Sequence, residues 1–264
     1  FEVLMGMIHP SAVIEDGAVI GDGCQIGPFC VIGADVVLGA AVELKSHVVV
    51  TGDTHVGDET IVFPFSVIGE IPQDLKFCGE KTRLRIGKRN RIREHVTMNT
   101  GTAGGGAQTL VGDDGLFMAG CHIAHDAQIG DRVIVVNSSA IAGHCIIEDD
   151  VIIGGLCGIH QWVRIGQGAI IGALSMVTND VVPHGLVMGP RGKLDGLNLI
   201  GLKRKGVARA DITAMRAAFQ MLKDGEGTFH DRAARLADET DSEYVQQMVA
   251  FIMGDTDRNF LTPS

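Results

Sequence analysis

The chain has 264 residues, a formal net charge of -10 at neutral pH, thirty-six glycines, ten phenylalanines, one tryptophan and one tyrosine. A chain with no basic excess cannot neutralise a phosphate backbone, which speaks against nucleic-acid binding. No apolar run reaches a membrane span and no signal-peptide pattern opens the chain, so a soluble cytoplasmic protein is expected. Abundant glycine with so few aromatics fits a coiled β-solenoid better than a sandwich.

Residues 1–7 carry no pattern. From Ile8 an aliphatic residue recurs every six positions, through Ile14, Ile20, Ile26, Ile32, Leu38, Leu44, Val50, Val56, Val62 and Ile68, and glycine often follows it. The beat stops at 70–85, resumes as Ile86, Ile92 and Met98, and stops again across the Gly-rich residues 99–110. It then runs from Val111 through Phe117, Ile123, Ile141 and Ile159 to Val177. A period of six suits neither an amphipathic helix nor a strand; it is the signature of a parallel β-helix, in which each short strand stacks on its equivalent one coil away. The fifth place of each hexad is small, as the inside of a narrow prism requires. Five of the six cysteines (Cys24, Cys30, Cys121, Cys145 and Cys157) fall there and none forms a Cys-x-x-Cys pair. They read as small buried hydrophobes rather than disulfides or metal ligands. Cys78 alone is off the beat.

The two interruptions must bulge from corners, since the prism has no interior space for them. The first contains Asp74 and Lys76. The second matches neither phosphate-binding glycine fingerprint and reads as a flexible loop. From the end of the first interruption toward the second, Lys81, Arg83, Arg85, Lys88, Arg89, Arg91 and Arg93 form a basic stretch, a solvated face or a dock for an acidic partner. The repeat ends at Pro183, which divides the chain into a β-helix over 1–182 and a helical domain over 183–264 that closes the solenoid. Helices are expected over 197–205, 211–223, 228–237 and 242–253, with Gly206 and Gly225 as C-caps and Thr228 with Asp231 as a capping box. Ile212, Met215, Phe219 and Leu222 mark the buried stripe.

The hexad (an aliphatic residue, Gly, two free places, a small residue, a free place) resembles the hexapeptide-repeat acyltransferases. That resemblance implies a left-handed winding with three hexads to a triangular coil, an exception to the right-handed rule for crossovers. Positions eighteen apart then stack about 4.8 Å from one another. His144 is nineteen residues after His125, Gln161 is thirty-six after it with His160 alongside, and His122 is three before it. These side chains should form a column at or near one corner, while His9, His47, His55 and His95 read as surface or loop residues. Three functions compete for the column. In the first, neutral His125 takes a proton from an attacking hydroxyl, Asp126 orients the imidazole, and the amide of Gly143, one coil on, stabilises the oxyanion. In the second, His122, His125 and His144 hold zinc with an open position, as in hexapeptide-repeat carbonic anhydrases. The third, a non-catalytic trimeric scaffold, leaves the bunching of polar residues over 122–161 unexplained.

Longer motifs are more specific. Ile-Gly-Pro-Phe-Cys (26–30), Leu-Lys-Ser-His-Val-Val-Val (44–50), Ile-Gly-Glu-x-x-Gln-Asp-Leu-Lys (68–76) and Arg-Asn-Arg-Ile-Arg-Glu (89–94) come first. His-Ile-Ala-His-Asp (122–126), Ala-Gly-His (142–144), Ile-Ile-Gly-Gly (152–155), His-Gln (160–161) and Asn-x-x-Gly-Leu-Lys-Arg (198–204) follow in order. Together they resemble the acyl-[acyl-carrier-protein]–UDP-N-acetylglucosamine O-acyltransferase family, which opens lipid A synthesis, over nearly the whole chain. The resemblance implies a cytoplasmic homotrimer with clefts between solenoids, no cofactor and no metal. It implies transfer of an R-3-hydroxyacyl chain from acyl carrier protein to the sugar 3-hydroxyl of UDP-N-acetylglucosamine. By position, His125 would be the base, Asp126 its support and Gly143 the oxyanion donor. Asp74, Lys76, His122, His144, His160 and Gln161 would contact sugar or acyl groups. Asn198, Arg204 and Lys205 would hold the nucleotide end, where a guanidinium suits a diphosphate. Ala173 would line the acyl-length ruler, and Arg83, Arg85, Lys88, Arg89, Arg91 and Arg93 would dock the acidic carrier protein. Many family members have His-Arg-Gly-Thr where this chain has Asn99-Thr100-Gly101-Thr102, an acidic residue at Ile200, and Arg at Lys205. These departures leave a UDP 3-amino sugar, acylated to an amide, as the alternative acceptor.

Overall fold

A computed structural model describes residues 7–256 and 258–263; the first six residues of the expected solenoid range lie outside it. Short strands, most of them two residues long, make three sheets in which every third strand is a neighbour. Met7–Ile8, Gln25–Ile26 and Glu43–Leu44 open the first sheet, Val13–Ile14 and Val31–Ile32 the second, Val19–Ile20 and Val37–Leu38 the third. All the solenoid pairings are parallel, and the coil winds left-handed. Each coil is bonded to the next through its backbone, as in Ala124 N to Ile141 O at 3.0 Å. The corners between strands leave room for only two extended residues, one facing out and one facing in.

The inward residues are those of the six-residue beat. Ile32, Val50, Ile123 and Ile141 are fully buried, joined by the small residues of the fifth place. The five cysteines there are buried and free, and Cys78 is exposed. Ile123, Ile141 and Ile159 are in direct register, eighteen residues apart. The interruptions do not disturb the stack, since Val56 pairs with Ile86 and Met98 with Ile123.

Both interruptions are shorter than their sequence limits. Val67–Glu70 and Arg83–Ile86 are strands, so the first loop begins after Glu70 and Arg83 and Arg85 belong to the third sheet. Gln108–Val111 is a strand as well. The Gly-rich segment before it is an ordered turn, Ala103–Gly105, closed by bonds from the amides of Gly105 and Ala107 to Thr102 O.

The sheets also continue past residue 182. Gly185–Met188 pairs in parallel with Ile170–Ile171 and then antiparallel with Lys193–Leu197, a hairpin that ends the first sheet. Four helices follow: α1 Leu199–Arg204, α2 Arg209–Asp224, α3 Phe229–Glu239 and α4 Glu243–Met253. Gly206 is left-handed (φ 74°) after α1, as a C-cap glycine should be, whereas Gly225 is extended and simply ends α2. The Thr228–Asp231 capping box is present in both directions. Met215, Ala218 and Leu222 of α2 are buried, with Ile212 and Phe219 partly so, and α4 contributes Met248 and Ile252. Among the described residues no helix is long and apolar enough to cross a membrane.

Candidate active site

The corner between the second and third sheets carries the histidines. It is bounded on one side by His122–Ile123, Ala140–Ile141 and Gly158–Ile159, and on the other by Gln128–Ile129, Ile146–Ile147 and Arg164–Ile165. Repetition every eighteen residues gives it three parallel columns: Ala124, Ala142 and His160; His125, Gly143 and Gln161; Asp126, His144 and Trp162. The third column is left-handed, with φ of 59°, 61° and 69°. Such a conformation costs on the order of 1 kcal/mol per residue. Coil-to-coil bonds from His144 N to His125 O and from Trp162 N to Gly143 O, each 3.1 Å, hold it.

His125 Nδ1 lies 2.8 Å from Asp126 Oδ2. An ionised carboxylate only accepts, so it keeps the ring hydrogen on Nδ1 and leaves the Nε2 lone pair available. Asp126 is buried and held from several sides. Thr102 donates to it through its amide (2.8 Å) and its hydroxyl (2.6 Å), and the Asp126 amide donates to Thr109 Oγ1 at 2.8 Å. Gly101 and Gly105 approach so closely that any side chain there would overlap the carboxylate. The Gly-rich segment is therefore a clasp on Asp126. Gly143 meets the other side of His125: a Cβ at that position would sit 2.5 Å from Cε1 and 2.7 Å from Nε2 of the ring. Among the described residues, nothing accepts from the Gly143 amide.

His144 stands edge-on to His125, 5.0 Å between centroids, and stacks flat on Trp162 at 3.8 Å. Burial pushes its pKa down against the pull of Asp126. Burial, with the charge of His125 adding, also lowers His122, whose Nδ1 is 2.7 Å from Thr97 Oγ1. His122 is not part of the compact set of possible metal ligands. Among the described residues the compact group of ligand atoms is instead His125, Asp126 and His144, all within 4.8 Å. A cavity of about 290 Å³ opens beside Asp126, His144 and Trp162, with Gly104, Gly105 and Thr256 on its walls. Trp162, Thr102 and Thr109 were not among the residues expected. Trp162 was reachable, because two steps of eighteen from Asp126 arrive at the chain's one tryptophan.

The remaining candidates fall into three groups. Asp74 and Lys76 lie near enough to His144 for both charges to act on it. Asn198 and Lys205 belong to a different corner, between the third and first sheets, and Arg204 is the last residue of α1, beside Lys205. Asn198 caps α1 by accepting from Gly201 N and donates to Gly168 O; Lys205 pairs with Asp150 at 2.8 Å. Asp150, with Arg132 on its other side, is held down to about 2 despite its burial. Ala173 is exposed at the third corner, beside exposed Leu156, Leu174 and Met176. The basic stretch does not form one patch. It wraps from the third sheet to the first, and Arg85, Lys88, Arg89 and Arg93 are paired with Asp53, Asp58, Asp114 and Glu94.

Repeated hexads carrying this corner define the class. The bacterial transferase hexapeptide profile matches residues 7–34 and 144–179, and the profile described as UDP N-acetylglucosamine O-acyltransferase, domain 2, matches 180–260. This is a hexapeptide-repeat acyltransferase. The chain is 62% identical over 203 residues, 77% of each protein, to the acyl-[acyl-carrier-protein]–UDP-N-acetylglucosamine O-acyltransferase of Paracoccus denitrificans. It is 48% identical to that of Rhizobium etli over 97% of this chain and 95% of the relative. A crystal structure of a UDP-N-acetylglucosamine acyltransferase superposes with a TM-score of 0.94 at 39% identity, covering 98% of this chain and 99% of the other. The chain belongs to the acyl-[acyl-carrier-protein]–UDP-N-acetylglucosamine O-acyltransferase family.

Proposed function

We propose that the protein transfers an R-3-hydroxyacyl chain from acyl carrier protein to the 3-hydroxyl of UDP-N-acetylglucosamine, the first step of lipid A synthesis. The observation that carries this reading is the His125–Asp126 pair at 2.8 Å with the bare backbone of Gly143 against the same ring. His125 Nε2 takes the proton of the sugar hydroxyl as its oxygen attacks the thioester carbonyl. The new C–O bond puts negative charge on the carbonyl oxygen, which accepts from the Gly143 N–H. Collapse breaks the C–S bond, and the carrier-protein thiolate leaves with the proton held by His125. No nucleophilic side chain is needed.

Asp74, Lys76, His122, His144, His160 and Gln161 orient sugar and acyl group around the base. Asn198, Arg204 and Lys205 serve the nucleotide end, yet they stand on another corner of the same chain, as does Ala173. The two halves meet if a second copy presents its first sheet, flanked by those two corners, to the histidine corner. A homotrimer with three such clefts follows, with Ala173 and its apolar neighbours along the acyl chain. Members of the basic stretch with no ion pair among the described residues, such as Arg83 and Arg91, dock the acidic carrier protein.

The test is an assay of the purified protein with 3-hydroxyacyl carrier-protein thioesters of graded length, offering UDP-N-acetylglucosamine and its 3-amino analogue. The reading predicts an ester on the 3-hydroxyl, at a rate that chelator treatment leaves unchanged. Preference for the amine would replace the acceptor. Loss of activity that zinc restores would replace the mechanism.

A further inference from the structure

We propose that Arg258 is a positioning residue for this site: it fixes the ring hydrogen of His160 on Nε2 and makes that histidine a hydrogen-bond donor toward the acceptor sugar. The inference rests on reading the histidine corner as the acyltransfer site. After α4, Thr256 and the residues from Arg258 on are tied to the solenoid. Thr256 Oγ1 donates to Asp180 Oδ2 at 2.6 Å, Asp180 N donates to Asn259 O at 2.9 Å, and Leu261 N to Asp180 O at 2.8 Å. Asp180 is itself buried and paired with Arg164 at 2.7 Å. The strap anchored in this way brings Arg258 to the histidine corner, where one nitrogen, Nη2, is 2.8 Å from His160 Nδ1 and 3.0 Å from Gln161 O.

Those two contacts determine a tautomer. A guanidinium nitrogen has hydrogens to give and no lone pair to offer, so His160 Nδ1 must be the acceptor. Gln161 O lies 3.1 Å from the same Nδ1 and, alone, would ask for a hydrogen on it. Nη2 carries two hydrogens and faces two acceptors, so it satisfies the carbonyl and the ring together. The ring hydrogen is then left on Nε2. Without Arg258, the ring serves the carbonyl through Nδ1–H, and Nε2 turns from donor to acceptor.

The experiment compares the full-length protein with Arg258→Met, which keeps length but loses every donor, and Arg258→Lys, which remains a pure donor. Histidine rings are labelled with 15N and read at about pH 8, above the ordinary imidazole range, with His160→Gln to assign the signal. We expect an unprotonated His160 Nδ1 in the parent and a protonated one in R258M. KM for the UDP-sugar should rise about five- to tenfold with kcat nearly constant, the loss of one hydrogen bond to substrate, and R258K should restore both readouts. A hydrogen that stays on Nε2 in R258M, a moved hydrogen with unchanged KM, or an R258K as impaired as R258M would each overturn the proposal. Arg258→Gln, a milder loss, repeats the comparison should R258M fail to fold. The ring signal does not depend on turnover, so failure of the acyltransfer reading itself, seen as activity surviving loss of His125, remains distinguishable.

Discussion

The imidazole of His125 is held by what surrounds it. Asp126 fixes its hydrogen, Thr102 fixes Asp126, and the bare backbone of Gly143 gives the ring its space. Gly143→Ala would put a methyl group 2.7 Å from Nε2. Its kcat is expected to fall about a hundredfold, because small displacements of a catalytic group are costly, while its thermal midpoint stays near the parent's. A second residue, His184, tests electrostatics away from catalysis. It is buried, its Nε2 has no hydrogen-bond partner among the described residues, and burial, with the charge of Lys205 adding, lowers it to about 4. The native state keeps it neutral while the unfolded chain takes up a proton below its ordinary value. Its contribution is therefore complete above about 6.5, shrinks as pH falls, and levels off near 4, a loss on the order of 3 kcal/mol. Unfolding measured across this range should show a shallower acid decline in His184→Asn than in the parent. Taking the difference between the two cancels the opposite contribution of Glu148, whose pKa is raised by burial. Of the residues discussed at this scale, His125, Asp126 and Gly143 were legible because they lie on the repeat. Thr102 and Arg258 were not, since their contacts cross 24 and 98 residues that no period links.

The element that carries the site is the coil, and its six-residue beat could be read directly, because only a stacked strand explains an aliphatic residue at every sixth place. The segments between coils were less legible. The Gly-rich segment looked flexible from composition alone, yet its glycines are there to let backbone close on a carboxylate. Thr102→Val, nearly the same shape, removes the 2.6 Å bond to Asp126 and leaves the amide contact. The variant should lose about 1–2 kcal/mol of stability, the usual cost of leaving a buried acceptor short of a partner, and about tenfold in kcat. Stability loss with full activity would mean that the clasp serves only the fold. The hairpin Gly185–Met188 and Lys193–Leu197 escaped the sequence reading for a related reason. It pairs one strand antiparallel, so it leaves the beat while still belonging to the sheet.

At the scale of the whole molecule the chain places its candidate groups on three corners, and a single solenoid cannot fold them together. His125 stands between the second and third sheets, Lys205 (next to Arg204 in the chain) between the third and first, and Ala173 between the first and second. Spacing indicates which residues share a corner and says nothing about how corners of different copies meet. The proposed homotrimer therefore rests on the family resemblance and on this incompleteness together. One mixing experiment addresses base and assembly at once. His125→Ala should reduce turnover by about a thousandfold, as loss of a general base does, and Arg204→Ala should be severely impaired at low UDP-sugar concentration. When the two inactive proteins are unfolded and refolded together in equal amounts, about a quarter of the clefts in random trimers combine an intact base with an intact nucleotide half. Activity should return to about that fraction of the parent's. Turnover retained by His125→Ala alone, or a mixture that stays as inactive as its parts, would contradict the account.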